Sequence, residues 1–269
     1  MTMPPVPTHP IVGIIQARTG SSRLPRKTLA DLAGAPFLAR VIERMRACDT
    51  LDALVLATTA EPSDDPLAEL AASLGLAVYR GAVDDVLDRF TQAARTVDAA
   101  LIVRITADDP FKDPVVTDHA VRLWLERPDE LDYVSNTLKP TYPEGLDIEV
   151  FTREALERAW HEARLPSERE HVTPYIWKHP DRFRILNFEH RRDLSHLRWT
   201  VDYPADLTFA RAVYARLYRP GKVFLMDDIL RLLEAEPELA RLNAGIRRNE
   251  GYLKSLAADE QQQGSPTSG

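Results

Sequence analysis

An α/β fold with a mainly parallel sheet between helical layers is what this sequence predicts. Short, almost continuous apolar runs, such as IVGIIQ at 11–16 and ALVLAT at 53–58, alternate with segments of helical spacing. Runs of this kind suit strands buried on both faces. Polar, chemistry-bearing segments follow two of the runs directly, and ligands in such sheets sit beyond the carboxyl ends of the strands.

The first strand is expected at 11–16. Residues 36–48 place Phe37, Leu38, Val41, Ile42 and Met45 on one side of a helix. Residues 53–58 give a second strand, and 65–74 a helix that Gly75 can cap. A short strand at 77–79, a helix at 83–97 and a fourth strand at 99–105 follow. From Asp132 the pattern changes. Strands are read at 133–136, 146–151, 183–188 and 197–202, and helices at 152–164 and 168–178. This portion continues the sheet in mixed fashion, with a lobe at 130–190 for acceptor or dimer contact. Helices at 204–218 and 226–234 close the chain.

The 269 residues, 44% hydrophobic and 28% charged, suffice for one large core. Residues 11–256 are expected to form one domain. The tails expected to be disordered are 1–10, with four prolines, and the polar, aperiodic 257–269. The first ten residues do not have the form of a signal peptide. No run approaches the roughly 18 apolar residues of a membrane span. Cys48 is the single cysteine, so no disulfide forms within the chain, which suits a reducing, cytoplasmic setting. It sits on an amphipathic helix and reads as packing. A net charge of −7 argues against sequence-independent nucleic-acid binding.

Against that acidic background the loop ARTGSSRLPRK, residues 17–27, stands out. Small residues (Thr19, Gly20, Ser21, Ser22) let backbone N–H groups approach phosphate oxygens, and Arg18, Arg23, Arg26 and Lys27 can neutralise a polyphosphate. It is not a P-loop, which needs Gly before Lys-Ser/Thr, whereas Arg26 precedes Lys27. A solvated basic loop is the competing reading. Thr106-Ala107-Asp108-Asp109-Pro110 follows the fourth strand; a carboxylate there can hold Mg²⁺, or the Asp-Pro pair can simply turn the chain. Asp202, in WTVDYP, repeats the arrangement, with a helix N-cap as the alternative. Two such carboxylates with a basic loop form the set that metal-assisted phosphoryl chemistry requires. In YPEGLDIE, Asp147 and Glu149 share one face of a strand and suit sugar hydroxyls or a metal, unless the strand is only a solvated edge. His171, in EREH, can orient a substrate or take a proton, or belong to a polar helix terminus.

Taken together, six segments in order resemble the CMP-sugar cytidylyltransferases: IIQARTGSSRLPRKTL, YRGAVDDVLDRF, RITADDP, YPEGLDIEVF, EREHVTPYI and RWTVDYPADL. The nearest likeness is to the spore-coat-polysaccharide branch, related to CMP-KDO synthetases and acylneuraminate cytidylyltransferases. The resemblance spans about residues 11–218. It implies a GT-A-like nucleotide-diphospho-sugar transferase fold, transfer of CMP from CTP to a small acceptor with release of pyrophosphate, and a homodimer. By position it implies that Arg18, Ser21, Ser22, Arg23 and Lys27 bind the triphosphate. Ala17, Arg80, Thr106 and Ala107 would serve the nucleotide pocket, and Asp108 and Asp202 would hold Mg²⁺. Glu144, Asp147, Glu149, Glu170 and His171 would face the acceptor. Arg18, Lys27, Asp108 and Asp202 are the expected catalytic set. The chain departs from the family at Arg26 and Ala107, where glycine is usual. The alternatives are a glycosyltransferase of the same fold, which would usually carry a DxD motif, and a nucleotide-binding domain without catalysis.

Overall fold

The computed structural model describes residues 10–264, apart from Ser22, Arg247 and Asn249. Strand β1 (Ile11–Gln16) lies inside the sheet. Val12 and Ile14 join one core cluster, and Ile11 and Ile15 the other, so both faces are buried as the apolar run requires. β1 pairs in parallel with β4 (Ala53–Thr59) and with β6 (Leu101–Thr106). A two-residue hairpin, β2 (Asp31–Leu32) and β3 (Ala35–Pro36), leads into helix α1 (Phe37–Met45). Helix α2 (Asp65–Ser73) leads to β5 (Ala77–Gly81), and α3 (Val86–Thr96) leads to β6.

The described sheet has seven strands in the order β5-β4-β1-β6-β8-β7-β9. β8 (Glu149–Thr152) runs antiparallel to β6 and to β7 (Tyr133–Ser135), and β9 (Ile185–Asn187) is parallel to β7. This is the mainly parallel sheet with a mixed second half that the sequence predicts. Helices α1, α2, α4 (Pro114–Leu125), α8 (Pro204–Leu217) and α9 (Met226–Ala235) bury side chains in the first cluster. Helices α3, α5 (Arg153–Glu162) and α7 (Pro174–Lys178) bury theirs in the second.

Four expectations are corrected. Helix α4 was not anticipated; Asp113 caps it by accepting from Val115 N at 2.8 Å, and Pro114 suits its first turn. The single helix expected at 168–178 is two, α6 (Pro166–His171) and α7, because Val172 has φ of 71° and Pro174 cannot continue a helix. Residues 197–202 are not a strand. They make one bridge, Glu144 to Arg198, after which Val201 N donates to Asp108 O at 2.9 Å. The expected disordered tail is helical as far as Gly264, in α10 (Glu250–Gly264). Its polar sequence carries no periodic stripe, but the buried Asp259 accepts from Ser167 N at 2.9 Å and so fixes α10 to α6. Residues 1–9 and 265–269 of the expected tails lie outside the described residues.

Candidate active site

The chain turns from β1 to β4 on one side and reaches β6 on the other, so the strand order reverses between β1 and β6. A crevice opens at such a point beyond the carboxyl ends of the strands. The loop at 17–27 leaves β1 there, and Ala107 to Asp109 leave β6. Ala107 N donates to Gln16 O at 3.0 Å, which stitches the two exits together.

The loop is anchored from beneath by Asp64, a residue the sequence reading did not single out. Its Oδ1 accepts from Thr19 N at 2.7 Å and from Thr19 Oγ1 at 2.6 Å, and its Oδ2 accepts from the hydroxyls of Thr58 and Thr59. Burial works against this charge, but the Thr19, Thr59 and Thr58 donors outweigh it and hold the carboxyl below its ordinary range. The available signal was an acidic pair after the second apolar run. Thr19 O in turn accepts from Ser21 N and Arg26 N. Arg26 takes a left-handed backbone, φ 59°, and is exposed. A glycine adopts that conformation freely, whereas a side chain at Arg26 strains it.

Lys27 turns back under the loop. Its Nζ donates to Val201 O at 2.7 Å, Asp202 Oδ1 at 2.8 Å and Asp108 Oδ2 at 3.2 Å. Burial disfavours its charge, yet Asp108 and Asp202 more than compensate and raise its pKa above the ordinary lysine value. Arg23 reaches Asp202 Oδ1 at 2.8 Å, and Arg198 reaches Asp202 Oδ2 at 3.2 Å. Against the cost of burial, Lys27, Arg23 and Arg198 keep Asp202 below the usual carboxylate range. Asp202 is not the N-cap of α8. Asp206 accepts from the backbone N–H groups of Asp202 and Tyr203 at 2.9 Å each, which leaves the Asp202 carboxylate to the crevice.

The adjacent aspartates after β6 part company. Asp108 faces Lys27 with its side chain one-third exposed, whereas Asp109 is buried against Lys112 at 3.0 Å and receives the Thr106 hydroxyl. Burial pushes Asp109 up to about 6 despite Lys112. Ala17 and Ala107 are buried among core side chains, and Arg18 is exposed. Arg80 spends its guanidinium on Thr59 O, Glu61 O and Asp65. Ser21 Oγ accepts from Leu24 N, and Ser22 lies outside the described residues.

The expected acceptor residues do not form one exposed face. Gly145, with φ of 103°, lets the 142–148 loop press on the backbone of Trp199 and Thr200, where a Cβ would come within 2.8 Å. Glu144 lies under Arg198 at 2.7 Å. Asp147 precedes β8 and pairs with Arg248, while Glu149, within β8, is buried with Arg104, Tyr133 and Thr173. Despite burial, Arg104 and the hydroxyl donors hold Glu149 below its ordinary range. His171 Nε2 lies 2.9 Å from Ser255 Oγ, which donates to Glu170 at 2.6 Å. Burial and then Arg104 lower His171 to about 4, so it is neutral at pH 7.

Among the described residues no group of three or more metal-ligating side chains gathers. Magnesium asks for less, since one or two carboxylates, phosphate oxygens and water complete its shell. The hard oxygens of Asp108 and Asp202, both on Lys27 Nζ, fit that donor set. The described helices include none long and apolar enough to cross a membrane.

A family model described as cytidylyltransferase matches residues 12–219. The chain belongs to the cytidylyltransferase family. It is similar to the spore coat polysaccharide biosynthesis protein SpsF of Bacillus subtilis, with 31% identity over 237 residues, covering 86% of this chain and 96% of that one. A solved cytidylyltransferase from Leptospira borgpetersenii is 31% identical, with a TM-score of 0.84, and spans 89% of this chain and all of that chain. A CMP-2-keto-3-deoxy-manno-octonic acid synthetase solved with CTP shares the fold, with a TM-score of 0.61, 20% identity and coverage of 78% and 100%. This cytidylyltransferase therefore has the nucleotide-diphospho-sugar transferase architecture. Membership of the family sets nucleotidyl transfer ahead of the glycosyl-transfer alternative.

Proposed function

We propose that the enzyme transfers CMP from CTP to a hydroxyl of a small sugar-like acceptor and releases pyrophosphate, in the synthesis of an activated sugar. The observation that carries this reading is Lys27 Nζ held between Asp108 and Asp202 at the β1/β6 crevice, with Arg23 on the same Asp202 oxygen. The family and the CTP bound to a structural relative support the nucleotide.

The acceptor oxygen attacks the α-phosphorus in line and forms the new P–O bond. The bond to the β-phosphate breaks with its electron pair going to pyrophosphate, and the hydroxyl proton passes to solvent. Arg18, Arg23 and Lys27 neutralise the triphosphate and the charge that builds on the leaving group, so catalysis is mainly electrostatics and positioning. Asp108 and Asp202 would hold Mg²⁺, which when bound supplies Lewis-acid charge neutralisation at the phosphate oxygens. His171 serves as a neutral hydrogen-bonding group rather than an acid. A homodimer through the 130–190 lobe and a cytoplasmic location belong to the same reading.

A pyrophosphate-release assay with CTP, UTP, ATP and GTP against a panel of acidic and neutral sugars tests it. Release with CTP well above the other three, in step with a CMP-linked product, is expected. Equal release with all four, or none with any acceptor while nucleotide binds, contradicts it.

A further inference from the structure

The C-terminal segment, which lies beyond the 12–219 stretch matched by the family model, crosses the site from its acceptor side to its phosphate side. Near its far end Asp259, 6% exposed, is tied to the backbone and hydroxyl of the buried Ser167. Ser255 joins His171 and Glu170, and the Tyr252 ring lies edge-on to His171 at 5.2 Å. At its near end Arg248 pairs with Asp147, and Glu250 Oε2 accepts from Arg23 Nη1 at 3.2 Å and from the Tyr203 hydroxyl.

Glu250 thus places a carboxylate on a guanidinium of the basic loop. We propose that Glu250 stands where a triphosphate oxygen binds Arg23, so that α10 is a strap anchored at Asp259 whose near end yields when nucleotide enters. The inference rests on the reading that Arg23 takes the triphosphate. The energetics favour the exchange. The side chains of Arg23 and Glu250 are 25% and 36% exposed, and ion pairs so open to solvent hold weakly. A triphosphate brings several negative charges to the same guanidinium and its neighbours, and charge-assisted bonds to phosphate are stronger and bidentate. The anchor at Asp259 is buried, so the near end gives way before the far end.

The test uses the full chain and three proteins: wild type, Glu250→Gln and Arg23→Ala. CTP affinity is measured by titration calorimetry, and hydrogen exchange of the amides of residues 250–259 is followed with and without CTP. The strap predicts that Glu250→Gln binds CTP about 2–5-fold more tightly, that Arg23→Ala binds it more weakly, and that CTP speeds exchange in 250–255 while 256–259 changes less. If Arg23→Ala weakens CTP binding but Glu250→Gln does not tighten it, the strap is wrong and the nucleotide reading stands. Should Arg23→Ala leave CTP affinity untouched, the role of Arg23 falls, and the strap with it. Slower exchange of 250–255 with CTP would also overturn the strap, since the helix would then be closing on the nucleotide.

Discussion

The proposed phosphate side and the proposed acceptor side of the crevice are built on opposite plans. On the phosphate side, Lys27, Arg23, Asp108 and Asp202 converge from the loop after β1, the turn after β6 and the segment before α8, and Arg23 and Asp108 are partly exposed around the buried Lys27. On the acceptor side, Glu149 is sealed under Tyr133 and Thr173, and His171 is committed to Ser255. The first set pairs its charges with one another beside a crevice, with Asp108 one-third exposed, whereas Glu149 is buried among its partners. Under the proposed function, that difference divides the groups that meet the substrate from the groups that shape the wall behind it.

That contrast can be broken by substitution. The largest effect is expected for Asp108→Asn, which should lower kcat by about 10²–10³-fold, the range seen when a transition-state charge partner is lost. Its thermal unfolding should stay near wild type, because the side chain is one-third exposed. Turnover near wild type would remove Asp108 from the site. Glu149→Gln should do the reverse. It strands Arg104, which is mostly buried, and should cost about 3 kcal/mol of stability with little change in kcat of the folded enzyme. A loss of kcat without a loss of stability would put Glu149 on the substrate.

His171 sharpens the comparison through pH. Its folded pKa is lowered from 6.5 to about 4, so protonation penalises the folded state. The stability it supports is complete well above pH 6.5 and declines as pH falls from 6.5 towards 4, by on the order of 3 kcal/mol. Chemical denaturation at several pH values should show that decline flattened in His171→Asn. An unchanged slope would place the titration elsewhere.

Two smaller effects concern the loop. Asp64→Asn should raise KM for CTP about tenfold and leave kcat within about twofold, because Thr19 loses its anchor while Lys27 keeps Asp108 and Asp202. A matching fall in kcat would mean that Asp64 supports more than nucleotide binding. Arg26→Gly should stabilise the fold by up to about 1 kcal/mol through relief of the left-handed backbone, read as a higher unfolding midpoint. Destabilisation would show that the Arg26 side chain contributes a contact of its own.

Much of this was legible in sequence. The two-faced apolar run at 11–16 matches strand β1 residue for residue, since burial on both faces leaves its signature in composition. Lys27, Asp108 and Asp202 were legible as charged residues beside apolar runs or prolines, and the structure brings them onto one lysine nitrogen. Asp64 was hidden because its role comes from three threonines that meet it only in the fold. Asp147 and Glu149 share a parity in sequence, but the strand begins at Glu149, so alternation assigns nothing to Asp147. Helix α10 was invisible to periodicity, because polar bonds to α6 hold it rather than an apolar stripe.

The central claim is nucleotidyl transfer at the Lys27, Asp108 and Asp202 cluster. The most direct measurement supplies CTP labelled at the α-phosphorus, or separately at the γ-phosphorus, with an acceptor found in the screen. α-Label is expected in the acceptor product and γ-label in pyrophosphate, with both lowered by about 10²–10³-fold in Asp108→Asn. Label from the γ-position in the acceptor, or undiminished α-transfer in Asp108→Asn, would contradict it.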